Sequence, residues 1–173
     1  MILSDREIKE YLRKNLLVLN AKMENVTSCS IDLTLGDEIG YYEEIGLPYL
    51  DITPEINLKK IKIEDSFFLQ PKSFVLATTQ EYIKLPNDIA AIVDGKSSLA
   101  RRGLLVHVSS SLVDPGFEGK LVLEMFNVNN VPIKIYKGMK IAKIFFVKLS
   151  SPSEVPYYKR EDARFKNQKE IKL

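Results

Sequence analysis

One cysteine, Cys29, and one histidine, His107, are the only thiol and imidazole in 173 residues. A single thiol excludes an intramolecular disulfide and any multi-cysteine metal site. The same scarcity excludes a zinc-dependent nucleobase deaminase, which needs a histidine-bearing motif followed by Pro-Cys-x-x-Cys. No apolar run approaches the ~20 residues that cross a bilayer. The opening MILSDREIKEYL places charges where a signal peptide needs an apolar core, so a cytoplasmic location away from membranes is expected. The net charge of +2 gives no case for nucleic acid as a partner, and the aromatic residues are not interleaved with a basic stripe.

What is present reads as one domain spanning 1–173, with 45% hydrophobic and 28% charged residues, as in ordinary globular proteins. Ser4-Asp5-Arg6-Glu7 has capping-box spacing, and Ile8, Tyr11 and Leu12 share a helical face, so a short amphipathic helix is predicted up to about Asn15. From about Ser30 the apolar period falls to two, with Ile31, Leu33 and Leu35 alternating with Asp32, Thr34 and Gly36 in a half-buried strand. An irregular stretch over 43–55 follows. The segments SFFLQ, SFVLATTQEYIKL, IAAIV, LLVHV, KLVLEMF, PIKIYK and IAKIFFVKL then recur at short spacing, most of them separated by Pro, Gly, Asn or Asp turn signals. Many short strands and few helices predict a mostly β chain: a sandwich, jelly roll or barrel.

Chemistry concentrates between Gly95 and Asn127. Gly95-Lys96-Ser97-Ser98 runs into a helix-like SSLARRG, with Arg101 and Arg102 one turn on. Hydroxyls, a lysine and exposed backbone N–H groups suit phosphate oxygens, although a serine N-cap gives the same pattern and the P-loop spacing is absent. Asp114-Pro115-Gly116-Phe117 forms a tight corner. In a nucleotide site Asp114 would accept a hydrogen bond from a sugar hydroxyl, and Phe117 would leave no room for a ribose 2′-hydroxyl. Ser109, Ser110 and Ser111 are either plain turn residues or a backbone edge for a pyrimidine. His107, between two valines, reads as a hydrogen-bonded core residue.

Glu124 stands out because Val122, Glu124 and Phe126 share one strand face while Leu121, Leu123 and Met125 share the other. A carboxylate among apolar neighbours costs free energy unless it is paired or protonated, and such a group suits proton transfer. The competing reading is an edge strand with Glu124 in water. The terminal YYKREDARFKNQKEIKL is either a solvated tail, a terminal helix, or an arm that folds over an anionic ligand.

Taken in order, GKSSLARRGLLVHV, LVDPGFEGKLVLEMFN, KGMKIAKIFF and YYKREDARFKNQ resemble the dCTP deaminase branch of the trimeric dUTPase superfamily. MILSDREI and CSIDLTLGDEI are similar to that branch's N-terminal segments, and the likeness is thinnest between about Gly40 and Phe67. The resemblance implies a dUTPase-like distorted jelly roll or β-barrel of the β-clip type with a short N-terminal helix. It also implies a homotrimer with sites between subunits, dCTP or dUTP as ligand, and Mg²⁺ carried on the triphosphate without zinc. By the same resemblance Glu124 is the general base and acid, with Ser97 and Arg101 positioning water or stabilising charge. Lys96, Ser98, Leu99 and Ala100 complete the phosphate segment, and Asp114 contacts the sugar. Ser110, Phe117, Val122 and Leu123 are further substrate contacts. Tyr157, Arg164 and Gln168 belong to an arm over 154–173 that closes on the site.

Three departures mark this chain. Lys96 replaces an arginine, which removes bidentate geometry but keeps charge. Arg164 replaces a lysine. Ser109-Ser110-Ser111-Leu112 stands where deaminases resemble T-A-H-R and bifunctional or dUTPase members resemble T-A-G followed by an apolar residue. The leading expectation is zinc-independent deamination of dCTP to dUTP and ammonia. The alternatives are a bifunctional enzyme giving dUMP and diphosphate, a dUTPase alone, and a nucleotide-binding trimer without turnover.

Overall fold

The computed structural model describes residues 1–42, 49–50 and 58–173. Most of the irregular stretch predicted over 43–55 lies outside these. The predicted N-terminal helix is α1, Asp5–Arg13. The Glu7 carboxylate accepts the Ser4 backbone N–H at 2.9 Å, which satisfies a donor the first helical turn leaves open. That hydrogen bond holds the Glu7 carboxyl below its usual range. Ile8 and Leu12 are buried on the face toward β1.

Eleven strands are found among the described residues: β1 (Leu17–Val18), β2 (Ile31–Tyr41), β3 (Lys59–Lys62), β4 (Ser66–Leu69), β5 (Phe74–Lys84), β6 (Ile89–Gly95), β7 (Leu104–Leu105), β8 (Leu112–Val113), β9 (Glu118–Asn127), β10 (Ile133–Tyr136) and β11 (Lys140–Lys148). One curled antiparallel sheet runs β7-β9-β5-β2-β11-β6-β8, with β1 added to β5 and β3 to β2, and β4 and β10 form a separate pair. The only other α-helix there is α2, Ser97–Ala100, entered from Lys96 as its N-cap. No helix among the described residues is long and apolar enough to cross a membrane.

The curl has local causes. The β2–β5 register shifts between Leu35 and Ile39, and the β5–β9 register shifts between Thr78 and Tyr82. Such bulges bend a strand and increase its twist. Glu81 fills the distortion: although only 5% exposed, its carboxylate accepts the Thr34 N–H at 2.8 Å and the Thr34 hydroxyl at 2.7 Å. A Cβ at Gly36 would stand 2.6 Å from the Thr78 hydroxyl, so only glycine permits this close approach.

The alternation in β2 holds for Ile31, Leu33 and Leu35, all fully buried. Asp32, expected on a solvated face, is buried too. It is paired with Lys96, and Lys140 lies 3.4 Å from its other oxygen. Partners are what make that burial tolerable. The predicted strand LLVHV shrinks to β7, because the chain pairs with β9 only at Leu104↔Asn127 and Leu105↔Phe126 before turning away.

Candidate active site

β9 is the wall on which the site is built. Its residues alternate strictly, so Leu123 and Met125 are fully buried in the core while Val122 and Glu124 line a cleft of about 750 Å³. Burying a leucine or methionine side chain is worth about 1.5–3 kcal/mol, and that anchoring fixes which face Glu124 presents. The Leu123 side chain points into the core, so any contact with substrate at this position would be made through its backbone.

Glu124 is neither an edge residue nor sealed in the core. Leu76 of β5 is its register partner on one side. On the other, the Val108 N–H donates to the Glu124 carbonyl at 3.2 Å. The Ser109 N–H then donates to Glu124 Oε2 at 3.0 Å. The carboxylate is therefore held by a backbone donor at the head of the serine turn. In that turn Ser110 has φ +56 and lines the cleft, while the Ser111 carbonyl accepts the Val93 N–H at 2.8 Å.

His107 also lines the cleft instead of the core. Its Nε2 lies 3.3 Å from the Ser110 carbonyl, and its buried Nδ1 has no partner. The alternation of LLVHV suggested an inward ring, but the early end of β7 turns it to the cleft.

The terminal segment is folded, and neither a solvated tail nor a regular helix. After a 3₁₀ turn, Tyr157–Lys159, it runs along the Asp114–Phe117 corner and back to β9. The Tyr157 N–H donates to the Pro115 carbonyl at 2.8 Å, and the Phe117 and Tyr157 rings meet edge to face at 5.5 Å. Gly116 has φ +79, and a Cβ there would lie 2.7 Å from Pro156, so glycine serves both the turn and the contact.

Gln168 closes the run. Its backbone pairs in parallel with Gly119, and its side-chain amide donates to the Lys120 carbonyl at 3.0 Å. Through that nitrogen Gln168 stitches the arm to β9. Arg164 is exposed at the cleft, and Asp114, Phe117, Tyr157 and Gln168 line it as well.

The predicted phosphate segment lies elsewhere. Ser97, Ser98 and Arg101 border a separate depression, not the cleft. Leu99 packs against the core, and Ala100 is exposed. The Lys96 ammonium is held by Asp32 and, like Ser97 to Arg101, does not face this chain's cleft. One chain thus brings Glu124, Asp114 and the arm together but leaves Ser97 to Arg101 apart.

The sequence reading missed Arg160. Its Nη1 donates to Asp114 Oδ2 at 2.8 Å, while Nε and Nη2 grip Asp162 at 3.0 and 2.8 Å. The Asp162 hydrogen bonds hold this guanidinium's pKa above its usual value, and Arg160 in turn holds the Asp162 carboxyl below the ordinary carboxylate range. The alternating signs of Arg160, Asp162 and Arg164 were a visible signal.

A family model described as dCTP deaminase-like matches residues 2–149. A dCTP deaminase, dUMP-forming, from Dictyoglomus thermophilum is 46% identical, with 98% of this chain and 91% of the relative covered. A protein of the same name from Methanobrevibacter smithii is 37% identical over 90% of this chain and 84% of its own. A dCTP deaminase from Idiomarina loihiensis is 37% identical, covering 97% of this chain and 93% of the relative. Among solved structures, 2′-deoxycytidine 5′-triphosphate deaminase from Agrobacterium tumefaciens matches with a TM-score of 0.67 at 21% identity, over 84% of this chain. This chain spans 47% of that longer chain, and the likeness shows the dUTPase-like fold expected from the resemblance.

Proposed function

The chain belongs to the dCTP deaminase-like family, and from that premise we propose that it carries dCTP through two hydrolytic steps to dUMP, ammonia and diphosphate. It is an enzyme with dCTP deaminase activity. The observation that carries the mechanism is the position of Glu124, a carboxylate on the cleft wall held by the Ser109 N–H beside the serine turn.

In the first step Glu124 takes a proton from water as its oxygen attacks C4 of cytosine. Glu124 hands that proton to ring N3 and then carries the proton of the new C4 hydroxyl to the amino group. The C4–N bond thereby breaks, ammonia leaves and a C4 carbonyl remains. A side chain positioned for such transfer contributes about 10²–10⁴-fold. In the second step water attacks the α-phosphorus and the α–β bridging bond breaks with loss of diphosphate. Asp114 carries the sugar hydroxyl and is the candidate to orient that water.

Two features favour dUMP over dUTP as the end product. Relatives at 46% and 45% identity bear the dUMP-forming name. Leu112 is also apolar where the pure deaminase pattern has arginine. The sequence reading placed dUTP first, and the relatives favour its alternative.

The separation of Ser97, Ser98 and Arg101 from Glu124 supports a homotrimer with each site shared between subunits. A neighbouring copy would supply α2 and its arginine to the triphosphate, and the arm would add Arg164. Among the described residues no three acidic, histidine or cysteine side chains gather as a metal site. Mg²⁺ would be carried on the nucleotide's triphosphate, whose charge it would neutralise.

Product analysis with Mg²⁺ and either dCTP or dUTP tests the reading. Ammonia, diphosphate and dUMP are expected from dCTP. Accumulated dUTP without diphosphate would reduce the enzyme to a deaminase, and absence of ammonia would remove the deamination assignment.

A further inference from the structure

The geometry points to Arg160 as the positioning residue that sets Asp114 for the sugar, so that closure of the arm and recognition of the 3′-hydroxyl are one event. This rests on the reading of Asp114 as the sugar contact. Among the described residues, Arg160 is the hydrogen-bond partner of the Asp114 carboxylate, and it engages one oxygen, Oδ2, at 2.8 Å. The other oxygen is left to accept from a ligand hydroxyl.

The guanidinium reaches Asp114 with its orientation already fixed. Asp162 binds it through two nitrogens in the planar fork that only arginine offers. Its carbon also lies 5.9 Å from the centre of the Tyr157 ring. From the same residue the backbone carbonyl accepts the Lys166 ammonium at 2.6 Å, and the Tyr157 hydroxyl accepts the Phe165 N–H at 3.1 Å. These bonds tie the arm's own turn together around Arg160.

Asp114 heads the corner against which that turn is pressed. Without Arg160 the carboxylate would rotate freely about its side-chain bonds, and a freely rotating acceptor recognises a hydroxyl less selectively. The arm thus acts on the sugar through Asp114, although no arm residue needs to touch the 3′-hydroxyl.

The test compares dCTP with 2′,3′-dideoxy-CTP by kcat/KM for ammonia release, which does not depend on the later phosphate chemistry. A hydrogen bond to a charged group makes the wild-type preference for dCTP roughly 10- to 100-fold. In Arg160→Gln that preference should fall to within a few-fold of unity, mainly through a higher KM for dCTP. Arg160→Lys should restore part of it, since one charged donor remains but the fork is lost. Thermal melting of both variants shows whether they fold, and the lysine variant carries the test if the glutamine variant does not.

An unchanged preference in a folded Arg160 variant, or an equal loss on both substrates, overturns the proposal. Asp114→Asn separates the two layers. If it keeps the preference, the sugar assignment of Asp114 itself is wrong. If it erases the preference while Arg160→Gln does not, only the role of Arg160 falls.

Discussion

The backbone N–H of Ser109 donates to Glu124 Oε2 at 3.0 Å, so the acid and the serine turn at the cleft are joined by one hydrogen bond. The donor is main chain, and its removal is therefore separable from removal of the serine hydroxyl. Ser109→Pro deletes the N–H and should lower ammonia release about 10-fold or more, as expected for loss of a hydrogen bond to a charged group. Ser109→Ala keeps the N–H and should stay near wild type. Equal losses in the two variants would mean that the hydroxyl, not the backbone, is what matters.

Leu123 and Val122 occupy opposite faces of β9, with Leu123 fully buried. Leu123→Ala should cost about 2–5 kcal/mol of stability, the usual range for a leucine-sized cavity. Denaturant unfolding measures this directly. Val122→Ala should unfold much closer to wild type and act on KM for dCTP. A destabilising Val122 variant beside a neutral Leu123 variant would reverse the assignment of the two faces.

Much of this arrangement was legible in the sequence wherever it depended on near neighbours. The Ser4–Glu7 capping box, the alternation of β2 and β9, and the Asp-Pro-Gly corner all follow from spacing. Contacts that join distant residues were not legible. Lys96 and Asp32 stand 64 positions apart, and no local pattern announced that this lysine partners a buried acid. Arg160 and Asp114 are separated by 46 positions, so composition showed an arginine but not its role. Glu124 was found because it interrupts an apolar strand, yet its Ser109 donor is main chain and carries no sequence signal.

A site divided between subunits, as proposed above, would make two inactive variants complementary. Glu124→Gln and Ser97→Ala, each inactive alone, should regain about a quarter of wild-type activity per chain when unfolded and refolded together at equal ratio, because random assembly pairs intact halves at that frequency. Ammonia release from the mixture is the readout. No recovery in correctly sized mixed trimers would place both residues in a site within one chain.

The Arg160–Asp162 pair has a definite pH signature. Arg160 holds the Asp162 carboxyl below its usual range in the folded protein. The pair's contribution is therefore fully present above the ordinary carboxylate pKa and is lost as pH falls through the lowered folded value. A carboxyl-carbon NMR titration should place the Asp162 midpoint below that of an unperturbed aspartate. In Arg160→Gln the midpoint should move up, and an unmoved midpoint would show that the pair does not persist in solution.

The central claim is that Glu124 moves the proton in deamination of dCTP, and Glu124→Gln tests it most directly. Glutamine keeps the size and hydrogen-bonding capacity of the side chain but cannot accept the proton from water. The variant should bind dCTP with near wild-type affinity by calorimetry while ammonia release falls by about 10²–10⁴-fold or more. Ammonia release near the wild-type rate in a variant that still binds dCTP would contradict the account.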